Sequence, residues 1–397
     1  MTGTMVAQIL SLASQPILTR LFMPSDYGKL ASIQAIISIF TVFCALSYER
    51  AIVLTQNEDE ANSIAGLSIQ LIIILGIIFS LLIINSSIWN LIFGFTLPSY
   101  IKFFIPLWFI GAGLTGVFSN LHNRAKSYSF LAKNRIVIGV LGIIIQLIAG
   151  YSATGVNGLI LANIFGVIIG LTSVSITLLS QVSPKIIANS KYYAIKYKEF
   201  PYYQLPGAIL DIASLQIMVI LLNKLLGSEI AGQYSLANRV LAIPLSLVGS
   251  AFAQVFYQEF AQRFAENKDP KGFLFRTWKK LFLLGLTPCI VLFFWGEPLF
   301  QFVFGTKWLM AGWFAKYLCL ISFIMLISSP TSTAFMVLGL QKFQLIFGIL
   351  LFIIRMMTVV IMYHHINNGL ITYVIFETLA IVLFNFLIIE KLNEKIH

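Results

Sequence analysis

Long runs without a charged side chain dominate the chain. From Ala61 to Ile101, 41 residues pass without Asp, Glu, Lys or Arg, and Ile136 to Pro184 is also charge-free. About 20 helical residues cross a hydrocarbon layer of about 30 Å, so each run holds two spans. The first run breaks between Asn85-Ser86-Ser87 and Pro98, where polar residues, Trp89 and a proline mark a short interfacial loop. The second breaks at Gly150-Tyr151-Ser152-Ala153-Thr154-Gly155. The same reading along the whole chain predicts twelve helices. They start near Thr2, Ser25, Ala61, Ser99, Ile136, Val156, Gly207, Ala231, Lys280, Met310, Phe343 and Gly369, and the last ends near Ile389.

Composition agrees. Charged residues make up 10% of the 397, hydrophobic ones 58% and aromatic ones 14%, with a mean hydropathy of +0.90. Soluble domains carry about a quarter charged residues, so a soluble enzyme, a disordered chain and a nucleic-acid binder are excluded. The net charge of +11 is explained by membrane topology. With the N-terminus inside, eighteen of the 26 Lys and Arg fall on the cytoplasmic side. Arg20, Lys29, Lys102, Lys224 and Lys307 fall outside, while Arg239, Lys316 and Arg355 lie within spans. Basic residues concentrate in cytoplasmic loops, so both termini are expected there. The first span has no basic flank and no cleavage site, so it is not a signal peptide. Either later loops set the topology or the natural chain begins further upstream. Cys44, Cys289 and Cys319 sit in apolar runs and read as small core hydrophobes.

The two halves of the chain resemble each other. Adding 204 to the residue number carries Arg20-Leu21-Phe22 onto Lys224-Leu225-Leu226, Gly28 onto Gly232, Leu30 onto Tyr234 and Gln34 onto Asn238. Farther along, an offset of 211 carries Leu91-Ile92-Phe93-Gly94 onto Phe302-Val303-Phe304-Gly305. Six helices per half give both halves the same orientation. The expected architecture is therefore an all-α integral membrane protein of two six-helix bundles related as a parallel internal repeat. Its parts are an N-terminal bundle over 1–180, a cytoplasmic linker over 181–206 and a C-terminal bundle over 207–397. Transporters use this plan, with the substrate path between the halves.

Charge inside the membrane carries the functional signal, since a charged residue at mid-span costs roughly 2.5–3.5 kcal/mol on insertion scales. Arg355 falls near the middle of the eleventh span. Arg239 lies eight residues into the eighth span, Glu377 at similar depth in the twelfth, and Asp211 one turn into the seventh. One structural alternative pairs Arg239 with Glu377. Lys102, Lys224 and Lys316, near outer ends, can also snorkel to the interface, and Glu49 with Arg50 can form a local surface pair. His364-His365 in a short outer loop is a poor metal candidate. No Walker A sequence, nucleophile elbow or metalloprotease motif occurs, so neither a cofactor nor a catalytic residue is expected.

Three segments resemble a known group. They are Gln15-Pro16-Ile17-Leu18-Thr19-Arg20-Leu21-Phe22 with Pro24-Ser25-Asp26-Tyr27-Gly28, then Tyr48-Glu49-Arg50-Ala51-Ile52, and Gly232-Gln233-Tyr234-Ser235-Leu236-Ala237-Asn238-Arg239. Together they are similar to the Wzx-type polysaccharide biosynthesis flippases of the multidrug/oligosaccharidyl-lipid/polysaccharide (MOP) exporter superfamily, which also holds the MATE transporters. The short basic segment that usually precedes the family's first span is absent here. The resemblance implies translocation of an undecaprenyl-diphosphate-linked oligosaccharide from the cytoplasmic to the periplasmic leaflet of the bacterial inner membrane, for O-antigen or capsule. The other proteins of polysaccharide assembly are the partners it implies. A diphosphate calls for fixed cations, and arginine offers bidentate donors that stay charged when desolvated. Arg20, Lys224, Arg239 and Arg355 are the expected cationic path, with Asp211 and Glu377 as candidates for proton or sodium coupling. A multidrug cation antiporter on the same fold is the first rival. It needs acidic cavity residues, and the spans hold more basic ones. A polysaccharide polymerase or ligase is the second, disfavoured because outer loops reach only about fourteen residues.

Overall fold

A computed structural model of the chain describes residues 2–176, 190–266 and 268–396. In chain order the helices are α1 (Thr2–Leu21), α2 (Pro24–Cys44), α3 (Glu58–Ile84), α4 (Ser86–Phe93), α5 (Ser99–Arg124), α6 (Tyr128–Tyr151) and α7 (Gly155–Ile176). Then come α8 (Ser190–Lys196), α9 (Leu205–Leu226), α10 (Ser228–Ala265), α11 (Pro270–Phe304), α12 (Leu309–Thr331), α13 (Ala334–Val337), α14 (Gln341–His364) and α15 (Ile366–Ile396). A 3-10 helix, Tyr48–Val53, joins α2 to α3. Eleven helices among the described residues are long and apolar enough to cross a membrane, and α1, a helix of 20 residues, stands where the first of the twelve expected spans was placed.

Two helices begin well before their apolar runs, α6 at Tyr128 and α11 at Pro270. A charge-free run marks the part inside hydrocarbon, whereas the helix continues into the polar interface where Lys133, Arg135, Arg276, Lys279 and Lys280 are hydrated. Polar residues close several helix starts. The Asn57 side chain accepts from the Asp59 amide at α3 (3.1 Å), and Asn85 accepts from the Ser87 and Ile88 amides at α4 (3.0 and 3.2 Å). Asp269 accepts from the Gly272 amide at α11 (2.8 Å). Each satisfies backbone donors that the first helical turn leaves open.

The chain forms two compact units, Met1–Ala231 and Gly232–His397. Helix α9 belongs to the first because it packs along α2 and against α4. The expected linker lies partly outside the described residues, which exclude 181–189 and with them Lys185. The part from Ser190 docks on the first unit. Tyr48 donates to the Ala194 carbonyl (3.0 Å), Tyr197 donates to Glu60 (3.0 Å), and Lys196 pairs with the same carboxylate.

In the first unit the rings of Phe40, Phe79 and Phe109 meet at the centre. Two polar contacts, Tyr27 to Gln15 (3.2 Å) and Gln34 to Asn163 (3.1 Å), tie α1 to α2 and α2 to α7. In the second unit α11 and α12 touch backbone to backbone. A Cβ on Gly312 would stand 2.6 Å from both the Glu297 Cα and the Gly296 carbonyl oxygen, the close approach that small residues permit between membrane helices. Helix α11 kinks at Trp295 (φ −118°, ψ 15°) and contains Pro288 and Pro298. An aromatic core of Phe256, Phe260, Phe335 and Phe384 fills the unit at the end where α10 meets α11.

The two corners aligned in sequence share a buried ring pair before a positive-φ glycine and differ in the glycine's ψ, 10° at Gly94 and 164° at Gly305. Helix α4 ends on Gly94 (φ 71°) behind the stacked Trp89 and Phe93, with ring centroids 4.1 Å apart. The last turns of α11 end on Gly305 (φ 102°) behind Phe300 and Phe304, 5.0 Å apart. All four rings are buried.

Candidate functional site

Within the first unit, Arg20 closes the last turn of α1 and Lys224 the last turn of α9. Consecutive spans alternate in direction, so both cations, the start of α2 and helix α4 share one membrane face. The Lys224 Cα lies 3.9 Å from where a Gly94 Cβ would stand, which puts the end of α9 against the α4 corner. Asn223 on the same turn donates to the Phe93 carbonyl (2.7 Å). Both Arg20 and Lys224 are exposed, as an anion site requires.

Asp211 stands at the opposite end of α9, exposed, with Arg50 close enough to act on its charge. Arg50 comes from the 3-10 helix, and its neighbour Glu49 behaves differently. Among the described residues no ion pair joins the two, so the alternative of a local surface pair is not what the structure shows. Adjacent residues on a 3-10 helix point about 120° apart, and here Arg50 faces outward while Glu49 turns in. The Glu49 Oε2 atom is buried without a hydrogen-bond partner, as is the nearby Ser47 hydroxyl. The chain enters this segment through Leu46 (φ 49°) and Ser47 (φ 63°), two left-handed non-glycine residues in succession. Such backbone costs of order 1–3 kcal/mol per residue and persists where the surroundings hold it.

Burial pushes the Glu49 carboxyl above its ordinary value, with its own backbone amide and Arg50 pulling only partly back. Folding therefore favours the protonated form. That contribution is complete below the ordinary carboxylate range and is lost as pH rises through the folded value. Glu49→Gln should raise the apparent melting temperature of the detergent-solubilised protein at neutral pH and leave it unchanged in acid. Melting curves across that range check this; parallel curves for the two proteins would refute it.

The second unit holds the other charged candidates. Arg355 on α14 and Glu377 on α15 form a bidentate pair, Nη2 to Oε1 at 2.5 Å and Nε to Oε2 at 3.3 Å. Arg355 is 6% exposed and Glu377 1%. The buried Tyr373 and the buried Tyr234 of α10 lie close to the pair. The partner of Glu377 is thus Arg355, not Arg239. Depth alone paired Glu377 with Arg239, whereas the choice depends on which helix faces point together. Arg239 is half-buried on α10 and engaged within the fold. Sequence reading passed over Tyr234 and Tyr373, although the repeat had already matched Tyr234 with Leu30. Lys102 is 7% exposed: its ammonium reaches Ser86 at the start of α4, which covers the side chain.

The arrangement contains a neutralised polar network in one unit and exposed cations on one face of the other. Buried Cys289 and Cys319 meet at 3.8 Å between sulfurs, beside an apolar cavity of about 320 Å³ between α10, α11 and α12.

Comparison with known proteins adds to this. A family model described as "Polysaccharide biosynthesis protein" matches residues 17–312. The chain is 22% identical over 310 residues to the succinoglycan biosynthesis transport protein ExoT of Rhizobium meliloti (strain 1021), a match covering 76% of this chain and 60% of that protein. It is 27% identical over 141 residues to the teichuronic acid biosynthesis protein TuaB of Bacillus subtilis (strain 168), covering 35% and 29%. The chain therefore matches less than two thirds of the length of either relative. Among solved structures, it is similar to an inward-facing multidrug resistance MATE family transporter of the MOP superfamily. The TM-score is 0.75 at 15% identity, over 98% of this chain and 95% of that one. It is also similar to the lipid II flippase MurJ in an inward closed conformation, with a TM-score of 0.76 at 11% identity, over 96% and 84%. At those identities the likeness is one of fold.

Proposed function

Because the chain belongs to the polysaccharide biosynthesis protein family, a set of multi-pass membrane proteins on the MOP fold, we propose that it flips lipid-linked oligosaccharide repeat units. The cargo is an undecaprenyl-diphosphate-linked unit, moved from the cytoplasmic to the periplasmic leaflet by alternating access. The observation that carries this reading is the family match over 17–312, which takes in most of the first unit, Lys224 and Arg239, and about half of the second unit. We take the repeat as six helices plus six, with α9 opening the second half and both termini cytoplasmic.

The charges suit an anionic cargo. Exposed Arg20 and Lys224 offer a landing place for a diphosphate at one membrane face, and an inside-negative potential helps expel it, by about 2.3 kcal/mol per charge per 100 mV. Arg239 extends this path. Asp211, exposed and beside Arg50, is the better candidate for ion coupling, since Glu377 is already neutralised by Arg355. That neutralisation also weighs against a multidrug cation antiporter, which needs free acidic groups in the spans. The chain acts by moving its substrate and makes or breaks no bond in it.

A strain lacking the protein tests the proposal. Surface polysaccharide should be lost and single repeat units should accumulate in the cytoplasmic leaflet. Accumulation on the periplasmic side would point to polymerisation instead. Intact surface glycan with new drug sensitivity would favour the antiporter.

A further inference from the structure

The α4 corner holds a buried cation that the fold itself does not need. Trp89 is fully buried, its ring stacks on Phe93 and meets Phe95 edge-on at 5.9 Å, and its Nε1 donates to the Phe95 carbonyl (2.6 Å). Lys102, one turn into α5, lays its ammonium 5.3 Å from the Trp89 ring centre and 3.4 Å from the Ser86 hydroxyl oxygen. Lys29 of α2 lies 5.9 Å from the Phe95 ring centre. Among the described residues no carboxylate pairs with either lysine. An ammonium has three donors. Here one meets a hydroxyl at long range and the charge leans on an indole face, so its main electrostatic demand is unmet. A buried charge without a counter-ion is costly.

The other half of the molecule serves as an internal control. At the corresponding corner, Phe300 and Phe304 again bring two buried rings together, and Gly305 again has positive φ, though in an extended conformation (ψ 164°) where Gly94 is left-handed (ψ 10°). The 204 offset puts Gln233 opposite Lys29, and the 211 offset puts Trp313 opposite Lys102. Gln233 works for the backbone there, donating to the Lys307 carbonyl (2.7 Å) and accepting from the Ala311 amide (2.9 Å). The positions matched to Lys29 and Lys102 can thus be filled by neutral residues, while the lysine this corner does carry, Lys307, stands exposed. Two cations in its first-half copy are unexplained by folding and call for an anion.

We propose that the α4 corner binds the phosphate of a lipid, namely the head group of an anionic phospholipid in the leaflet that α4 faces. Lys102 is its principal contact and Lys29 its second. The site lies where the spans leave the hydrocarbon, at head-group depth, and Lys102 is not fully sealed there, at 7% exposure. Lysine binds phosphate as a point charge, and Trp89 shields that charge from water.

The test uses the full chain purified in detergent, with lipid retention read by native mass spectrometry. The wild type should retain phosphatidylglycerol and not phosphatidylcholine. Lys102→Met keeps the apolar stem, and it should lower phosphatidylglycerol retention at least about tenfold, the effect of losing one charge-assisted bond. Lys102→Arg should hold it. Lys29→Met is half-buried and removable without disturbing the corner, and it should give a smaller loss in the same direction. Equal retention by wild type and both Met variants would overturn the proposal. Farnesyl diphosphate serves as a second probe. If Lys102→Met loses that probe while phosphatidylglycerol retention is unchanged, the site belongs to a diphosphate lipid and the phospholipid assignment falls. None of these outcomes depends on transport, so the site and the flippase reading can fail separately.

Discussion

Glu377→Ala should be the most destabilising single substitution in the second unit, costing about 3–5 kcal/mol, because it strands Arg355 as an uncompensated buried charge. The two side chains bond through both guanidinium edges, and each is nearly sealed from solvent. Arg355→Ala should cost about as much, since Glu377 then loses both guanidinium bonds. Arg355→Met combined with Glu377→Gln removes both charges, so it should recover most of the loss. Replacing a buried pair as a whole is often neutral, whereas halving it is not. Apparent melting temperatures of the four proteins give the coupling directly; single variants as stable as the wild type would mean that the pair does not hold α14 to α15. The same series separates fold from transport. Loss of export in Arg355→Ala alone says nothing about a cationic path, because protein level falls with it. Export that survives in the double variant removes Arg355 from the path, and export that fails at normal stability keeps it there.

What the sequence could and could not disclose follows from what each signal measures. The absence of charge over 41 residues reports the thickness of a hydrocarbon layer, so the helices that span it were legible, and their ends were not. The first turns of α6 and α11 are polar and belong to the interface. Depth along a span was also legible, which is why Arg355 and Glu377 stood out as costly. Their pairing was not, because depth carries no information about helix rotation or neighbouring helices. The surroundings of Lys102 were hidden for a related reason. Its position near a span end shows that it can reach the interface, but not that a short helix, anchored by the Trp89 bond to the Phe95 carbonyl, lies across it. Glu49 was read with its sequence neighbour Arg50, yet a left-handed turn at Leu46-Ser47 sets the two facing apart. The same residue types in an extended loop would give an ordinary surface pair.

Arg20 and Lys224 are where the proposed cargo path can be tested without the ambiguity that surrounds Arg355. Each is exposed, and each sits in the last turn of its helix, where a cation gains about 0.3–1 kcal/mol from the carbonyl end of the helix dipole. That is the whole of the structural reading, and it predicts that Arg20→Ala and Lys224→Ala leave melting and membrane level almost unchanged. The cargo reading predicts more. A charge-assisted bond to a diphosphate oxygen is worth about 1.5–3 kcal/mol, so either variant should slow export by roughly ten- to a hundredfold, and the double variant should abolish it. The conservative exchanges should differ. Lys224→Arg retains the charge and adds donors, so export persists. Arg20→Lys loses the planar two-point contact and should fall between wild type and alanine. Movement of lipid-linked units in membrane vesicles gives the rate, and immunoblots give the level. If the double alanine variant exports at the wild-type rate, both cations are helix-end residues and the diphosphate takes another route. If Arg20→Lys matches the wild type while Arg20→Ala fails, charge alone is read at that position and bidentate recognition is not.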